Sequence, residues 1–519
     1  MLNLLRNKII HPFLFGVFPI LFLSARNITQ MRLGEITVPL IAAICITIVL
    51  SIIISRLIKE PRKSGLVISL FLLFLYSYGH LLGINSRFYF RIDGTKIGPD
   101  INVFILWIVL LSISLFFTIR SRRDLAILTR LANSTAVLLV TIQIFLIGQT
   151  VIFRSEVELH NDIAINSDIP GELPDIYHII LDGYGRQDIL RQIYNVDNSA
   201  LLDKLTRRGF IIADSSNCNY YATQQSLTSL FNLDYLQSFD ILSPQARDCI
   251  QMESLLSKNR VFKHLARYGY KTVAFTSGYY MTDLKKVDYY YTPGMAFSEF
   301  QNIVLNTTPI PFISRSGKSQ YELHRERINY ILKKLPHLNN IHYPKMVFAH
   351  VICPHPPFVF GEHGEPVQVD RPFYKGDGSL YIEHGGTKEE YIAGYSEQIK
   401  YISKRIIKTI DEIIANSDRP PIIILQGDHG PASDANWENL AETNVKERYG
   451  ILNAYYLPGQ NKDIIYSSIT PVNSYRVIFN HYFSTNFELL ADESYFNLMS
   501  QPYAFVEITG ELVGTKEDQ

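Results

Sequence analysis

Two acidic turns each follow a short aliphatic run. Asp182-Gly183 comes directly after Ile176–Leu181, and Asp428-His429-Gly430 follows Ile422–Gln426 and one glycine. Carboxylates are hard oxygen donors and an imidazole adds a nitrogen, a set that suits Zn²⁺ or Mn²⁺ better than the all-oxygen cage of calcium. One divalent ion on Asp182, Asp428 and His429 is the expectation, with Mn or Zn preferred and Mg or Ca left open. Chemistry at such an ion needs a nucleophile. In Asn219-Tyr-Tyr-Ala-Thr223-Gln-Gln-Ser226, turn-like residues give way to helical spacing at about Thr223. A hydroxyl at a helix N-terminus sits where backbone N–H groups and the macrodipole favour an anion. Thr223 is therefore either a metal-coordinated nucleophile or simply an N-cap, with Ser226 one turn later on the same face. Two histidines complete the set, in His350-Val-Ile-Cys-Pro-His355-Pro-Pro-Phe358. His355, past a strand end and flanked by prolines, is placed to touch a phosphate or to protonate a leaving group, or is an ordinary loop histidine. His350, inside the apolar run, reads first as a satisfied core residue and second as a substrate contact.

Residues so far apart in sequence need a scaffold that gathers them. The strand-like runs Ile176–Leu181, 272–276, 346–353 and Ile422–Gln426 alternate with segments of helical spacing, the clearest being Ile392, Tyr395, Ile399, Ile402, Ile406, Ile410 and Ile413. That apolar stripe marks one face of a long helix. Continuous aliphatic strands alternating with helices imply an α/β domain on a mainly parallel sheet, where ligand-binding groups collect at the carboxyl edge. The segment 471–483 also reads as a packed amphipathic helix, without an assigned role.

Lys and Arg total 49, as do Asp and Glu, and no basic block is present, so the electrostatic footprint of a nucleic-acid binder is missing. Four cysteines are too few for a disulfide scaffold. Cys45 lies in an apolar span, and Cys353 reads as a strand-end core residue. Cys218 and Cys249 either pair in an oxidising compartment or stay as separate thiols.

Most long apolar runs lie before residue 153. Stretches near 9–25, 37–55, 65–83, 102–119 and 133–153 approach the ~20 residues that span a bilayer. Five transmembrane α-helices over residues 1–153, a polar linker over 154–174 and an exported α/β domain over 175–519 are expected. Pro12 and Pro19 weaken the first span, for which a cleaved signal peptide is the alternative. Arg6 and Lys8, then Arg56, Lys59, Arg62 and Lys63, then Arg120, Arg122, Arg123 and Arg130 load alternate loops with positive charge. The intervening loops carry Arg26 and Arg32, then Arg87, Arg91 and Lys96 diluted by Asp93 and Asp100. The N-terminus is then cytoplasmic and the α/β domain outside. Arg26, Asn27, His80, Arg87, Arg91 and Gln149 fall near the outer ends of the spans. They are either interfacial anchors or, for Arg26, His80 and Arg91 in particular, a pocket for an anionic lipid headgroup.

On these residues the chain resembles the alkaline phosphatase superfamily, in particular the membrane-anchored, sulfatase-like branch that contains lipoteichoic acid synthase and lipid A phosphoethanolamine transferases. The family's first acidic ligand looks like Asp182, its Asp-His pair like Asp428 and His429, and its nucleophilic threonine with a serine three residues on like Thr223 and Ser226. Its substrate-contacting histidine in a His-x-Pro setting is similar to His355. The resemblance implies transfer of a phosphoglycerol or phosphoethanolamine headgroup from a membrane phospholipid to an envelope glycan or glycolipid, through a phosphothreonine, on the outer side of a bacterial cytoplasmic membrane. Alternatives are a phosphoester or sulfate-ester hydrolase of the same fold, or a catalytically silent lipid-binding regulator. The chain departs from the transferases in having Asp182 where they usually have glutamate, and in lacking the Glu that often follows the glycine of the distal motif. Further ligands for a second metal are not assignable. No cysteine context, Cys218-Asn-Tyr, Cys249-Ile-Gln or Cys353-Pro-His, fits the Cys/Ser-x-Pro-x-Arg motif that sulfatases mature, which disfavours sulfate esters.

Overall fold

A computed structural model describes residues 8–512 except 29, 30, 32, 86–89, 93, 94, 98, 153–172, 241, 243–248, 295–297, 314–318, 370, 460 and 461. The chain divides into two compact units, Met1–Ser155 with Phe297–Gly317, and Glu156–Ala296 with Lys318–Gln519. The expected linker lies outside the described residues except at its last two positions.

The first unit is helical. Three of its helices are long and apolar enough to cross a membrane, namely Leu33–Leu57, Asn102–Arg120 and Ala126–Val151. Their large side chains, among them Phe116, Phe117 and Phe145, face outward, the inverse of a water-soluble helix. The other two expected spans are shorter. His11–Asn27 has 17 residues with Pro19 inside it, and Pro61–Leu75 has 15 before the chain turns and resumes as Tyr78–Asn85. One buried polar side chain here serves backbone groups far from it in sequence. Asn133 Oδ1 accepts from the backbone N–H groups of Ile10 (3.2 Å) and His11 (3.0 Å), and its Nδ2 donates to Lys8 O (2.7 Å). It thereby serves the open N-terminus of a helix that has no side-chain cap of its own. At the same end Arg62 bridges to Asp124 at 3.0 Å.

The segment Phe297–Gly317, which the sequence reading places in the exported domain, clusters with this unit instead. Its helix Glu299–Asn306 opens with a Ser298/Gln301 capping box. Phe300 and Val304, one turn apart, join a core of Ile20, Met31, Ile36, Leu72 and Leu75.

The second unit is built on a seven-stranded sheet. In chain order the strands are β1 (Ile176–Leu181), β2 (Ile211–Ile212), β3 (Lys271–Phe275), β4 (Tyr289–Tyr291), β5 (Lys345–Val351), β6 (Ile422–Gln426) and β7 (Asn453–Tyr456). Their spatial order is β2-β7-β6-β1-β5-β3-β4, parallel from β6 to β4, with β7 and β2 antiparallel at the other edge. Both faces are covered, one by the helix Lys388–Asn416 with Tyr395, Ile399, Ile402, Ile406, Ile410 and Ile413 inward, the other by the helices Thr223–Asn232 and Pro471–Tyr482. Burial on both faces is why β1, β5 and β6 are mostly apolar and buried along their whole length, with His178 and His350 inside the first two. Within the long helix Tyr391 is fully buried, while Ile392 is only partly so.

Register does the gathering. Ile180 of β1 pairs with His350 of β5 on one side and with Gln426 of β6 on the other. Two residues past that line, Asp182 and Asp428 leave the same edge of adjacent parallel strands.

Candidate metal and nucleophile site

The turn after β1 is tight. Gly183 adopts φ +72°, where an L side chain is strained, and its N–H donates to Asp428 Oδ1 at 3.2 Å. Asp182 N–H donates to Val351 O at 3.0 Å, and His355 N–H donates to Asp182 O at 3.1 Å. Backbone bonds thus knit the ends of β1 and β5, and the Asp428 carboxylate ties in the end of β6.

Four donor atoms then converge. Around His429 Nε2 lie Thr223 Oγ1 at 3.1 Å, Asp182 Oδ1 at 3.4 Å and Asp428 Oδ2 at 3.5 Å. His429 Nδ1 lies 2.9 Å from Gly430 O. A proton on Nδ1 donated to that carbonyl leaves the Nε2 lone pair facing the cluster, the arrangement of a metal-bound imidazole. Asp182 Oδ1 and Asp428 Oδ2 are buried without a hydrogen-bond partner. Uncompensated buried carboxylate oxygens are costly, so these atoms fit a divalent cation. Two carboxylates, one imidazole and a hydroxyl form a mixed oxygen and nitrogen set, as zinc and manganese sites use.

Thr223 is not the N-cap. Ala222 holds that position and makes no side-chain cap bond, while Thr223 is the first helical residue with its hydroxyl turned to His429. Ser226, one turn on, donates its hydroxyl to Asp428 O at 2.6 Å. Both atoms of that contact are buried, so Ser226 steadies the ligand loop. His350 is buried behind Asp182. Its Nε2 lies 3.1 Å from Asp182 Oδ2 and its Nδ1 2.8 Å from Thr282 Oγ1, which turns both nitrogens into the protein and away from a substrate.

His355 stands on the open side. Its Nδ1 lies 2.6 Å from Pro356 O, and its Nε2 3.4 Å from Asp377 Oδ2. Burial favours the neutral ring, but the carboxylates of Asp182 and Asp377 outweigh it and raise the imidazole to about 9. Asp377 in turn binds the buried Arg448 at 2.7 Å. The guanidinium also donates to Tyr221 O (2.8 Å) and Gly430 O (3.1 Å), and lies 5.0 Å from the centre of the Tyr221 ring and 5.2 Å from that of Trp437. Burial penalises the Asp377 carboxylate, yet Arg448 and His355 hold it well below the usual range. Burial, with Arg448 near, keeps His429 below the ordinary imidazole value and so neutral.

Asp377 and Arg448 escaped the sequence reading. Lys375-Gly-Asp377-Gly looks like a turn, and Arg448 stands in the charged run Lys446-Glu-Arg. Cys218 and Cys249 are not joined in a disulfide, and Gln224 Nε2 donates to Cys249 Sγ at 3.4 Å. Cys353 is buried, and burial first, with Asp182 second, pushes its thiol up. In the helical unit Arg26 is exposed, its guanidinium 5.3 Å from the centre of the Phe22 ring, and His80 is exposed. The side chains of Arg87 and Arg91 lie outside the described residues.

The sulfatase family model matches residues 174–473, more than half of the chain. No curated protein matches in sequence. Among solved structures, the chain is similar to the C-terminal periplasmic domain of EcEptC from Escherichia coli in complex with Zn, at 11% identity over 67% of this chain and 96% of that one, with a TM-score of 0.43. It is also similar to the integral membrane lipooligosaccharide phosphoethanolamine transferase A from Neisseria meningitidis, at 14% identity over 88% of each chain and a TM-score of 0.38. A third is BT1596, a 2-O GAG sulfatase, at 13% identity over 64% of this chain and 74% of that one, also with a TM-score of 0.38. The carboxyl-edge site stands inside the matched region, and the chain is an enzyme that belongs to the sulfatase family.

Proposed function

We propose that this enzyme transfers a phospholipid headgroup, phosphoglycerol or phosphoethanolamine, to a hydroxyl of an envelope glycan or glycolipid. The observation that supports this reading most is Thr223, the first residue of a buried helix, with its hydroxyl 3.1 Å from His429 Nε2 beside two unpartnered carboxylate oxygens. Asp182, Asp428, His429 and Thr223 hold one divalent metal, zinc or manganese by their donor types. Bound there, the cation supplies the positive charge that acidifies the Thr223 hydroxyl and offsets charge on a phosphate.

The protein's own groups do the rest. Thr223 Oγ, as the alkoxide whose proton has passed to solvent, forms a bond to phosphorus as the bond from phosphorus to the diacylglycerol oxygen breaks. His355, kept protonated by Asp377 and Asp182, gives its proton to that leaving oxygen. Asp377 is held in place by Arg448, so the pair orients the acid. N–H groups of the first turn of Thr223–Asn232 face the phosphoryl oxygens, where charge accumulates. In the second half the acceptor hydroxyl gives its proton back to His355, bonds to phosphorus and releases Thr223. His350 orients Asp182 from behind, and Ser226 fixes the Asp428 loop.

The same reading anchors the enzyme in the bacterial cytoplasmic membrane through five spans, with the N-terminus inside and the catalytic unit in the periplasm or on the cell surface. It is supported by the three apolar helices and by the contacts Asn133–Lys8 and Arg62–Asp124, which bring three basic segments to one end of the bundle. Arg26, His80 and Arg91 belong to the opposite end and are proposed to meet donor headgroups. Intact-mass analysis of the full chain in nanodiscs, loaded with Mn²⁺ or Zn²⁺ and given mixed bacterial phospholipids, tests the mechanism. A phosphoethanolamine or phosphoglycerol increment on Thr223 is expected. An increment on the Thr223→Ala chain overturns it, and headgroup release at full rate without acceptor replaces transfer by hydrolysis.

A further inference from the structure

Residues 298–313 enter and leave the catalytic unit in sequence, yet they cluster with the membrane-spanning helices. From Phe300 to Ser314 the chain has no charged residue, with Glu299 before and Arg315 and Lys318 after. An uncharged stretch this short, with its isoleucines set among polar amides and hydroxyls, does not cross a bilayer and suits an interfacial segment. The packing shows how it is held. Phe300 and Val304 are buried among Ile20, Met31, Ile36, Leu72, Leu75 and Tyr76. Gly79 N–H donates to Thr307 O at 3.0 Å. A Cβ on Gly79 would lie 2.2 Å from Asn306 O, so only glycine allows that approach.

The location is defined by its neighbours. Met31 and Ile36 lie between the first two helices, and Leu75 and Tyr76 end the third, all at the end of the bundle opposite Lys8, Arg62 and Asp124. With one face of the segment held there, its isoleucines point elsewhere: Ile303, Ile310 and Ile313 are 36%, 43% and 60% exposed. Exposed isoleucines on an uncharged segment, continuous with outward-facing apolar helices, match the boundary between headgroups and acyl chains.

We propose that residues 298–313 are a second membrane anchor, a loop of the catalytic half that lies in the outer-leaflet interface with Ile303, Ile310 and Ile313 against phospholipid. The catalytic unit is then tied to the bilayer at this loop as well as at its N-terminal end, whatever group it transfers. The test uses the full chain in phosphatidylethanolamine/phosphatidylglycerol vesicles that carry one of two photoactivatable phospholipids, with a diazirine either near the glycerol or near the terminal methyl of an acyl chain. Peptide mapping should find the shallow probe on residues 303–313 and both probes on Asn102–Arg120. Absence of shallow labelling on 303–313, with Asn102–Arg120 labelled, overturns the proposal. The double variant Ile310→Asp/Ile313→Asp changes exposed positions only, and should lower loop labelling at least tenfold while leaving the spans and the bound metal unchanged; undiminished labelling also overturns it. If Ile310→Cys instead cross-links two copies of the chain in place of lipid labelling, the surface is a subunit contact and the proposal fails.

Discussion

The two units answer opposite questions about buried polar groups. In the helical unit, Asn133 serves two backbone N–H groups and one carbonyl, and His11 Nδ1 meets Ser69 Oγ at 2.6 Å. The Asn133 contacts close open backbone groups at a helix start, while His11 Nε2 and Thr129 Oγ1 of the same unit are buried without a hydrogen-bond partner. In the catalytic unit, Asp182 Oδ1 and Asp428 Oδ2 are equally buried and have no partner, while Arg448, Asp377 and His355 form a charged chain beside them. Locally satisfied polar groups mark architecture. Unsatisfied ones that converge mark a site for something with charge of its own.

That contrast is easiest to break at Thr223. Thr223→Ala should leave metal binding largely in place, since three donors remain, while abolishing the covalent adduct and lowering kcat about 10³-fold or more; intact mass and metal analysis on one preparation separate the two effects. Next in size is the ligand set. Asp428→Asn or chelation should remove both activity and metal, and resupply should restore activity only to the wild type. Calorimetry should show the loss in the catalytic unit alone. Metal at 100 times its Kd stabilises by about 2.7 kcal/mol, which is the shift expected on removal.

Arg448→Met should destabilise the catalytic unit by about 3–5 kcal/mol, because Asp377 stays behind as an unpaired buried charge; denaturant midpoints check this. Restoration of much of that stability by adding Asp377→Asn sharpens the comparison, since the double variant leaves no charge stranded. Asp377→Asn alone has a pH signature. The His355 imidazole is raised to about 9, so its stabilising contribution is complete below the unfolded value of about 6.5 and fades as pH rises through about 9. Losing one carboxylate lowers that upper limit, and the alkaline limb of activity should move to lower pH. An unmoved limb assigns the proton donor elsewhere.

The smallest effect belongs to the membrane unit. Asn133→Ala removes a helix-terminus partner and should cost about 1 kcal/mol without changing kcat in vesicles. A fall in kcat comparable to that of the catalytic variants would erase the distinction between architectural and chemical burial.

Legibility in the sequence tracked how local each signal is. The central strands β1, β5 and β6 stood out because burial on both faces favours mostly apolar runs, and Asp182, Asp428 and His429 stood out by following two of them. The short strands β2, β4 and β7 did not. They are two, three and four residues long and carry no pattern that separates them from loops. Thr223 could be placed at a helix start, but whether it capped that helix or faced His429 depends on a residue 206 positions away. The uncharged stretch after Glu299 is plain in the sequence, whereas its partners are helices more than 220 residues earlier, and only packing reveals them.

Composition and periodicity alone therefore separated an apolar helical first part from an α/β second half, and gave the residue types at one sheet edge. Those properties follow from hydrophobic burial, which acts on runs of neighbours along the chain. The tertiary structure alone placed Arg448 and Asp377 beside His355, His350 against Asp182, Ser226 against Asp428 O, and residues 298–313 with the helical unit instead of the domain around them in sequence. Contacts of that kind form between side chains brought within a few ångströms by strand register and packing, and no short stretch of sequence encodes such a distance.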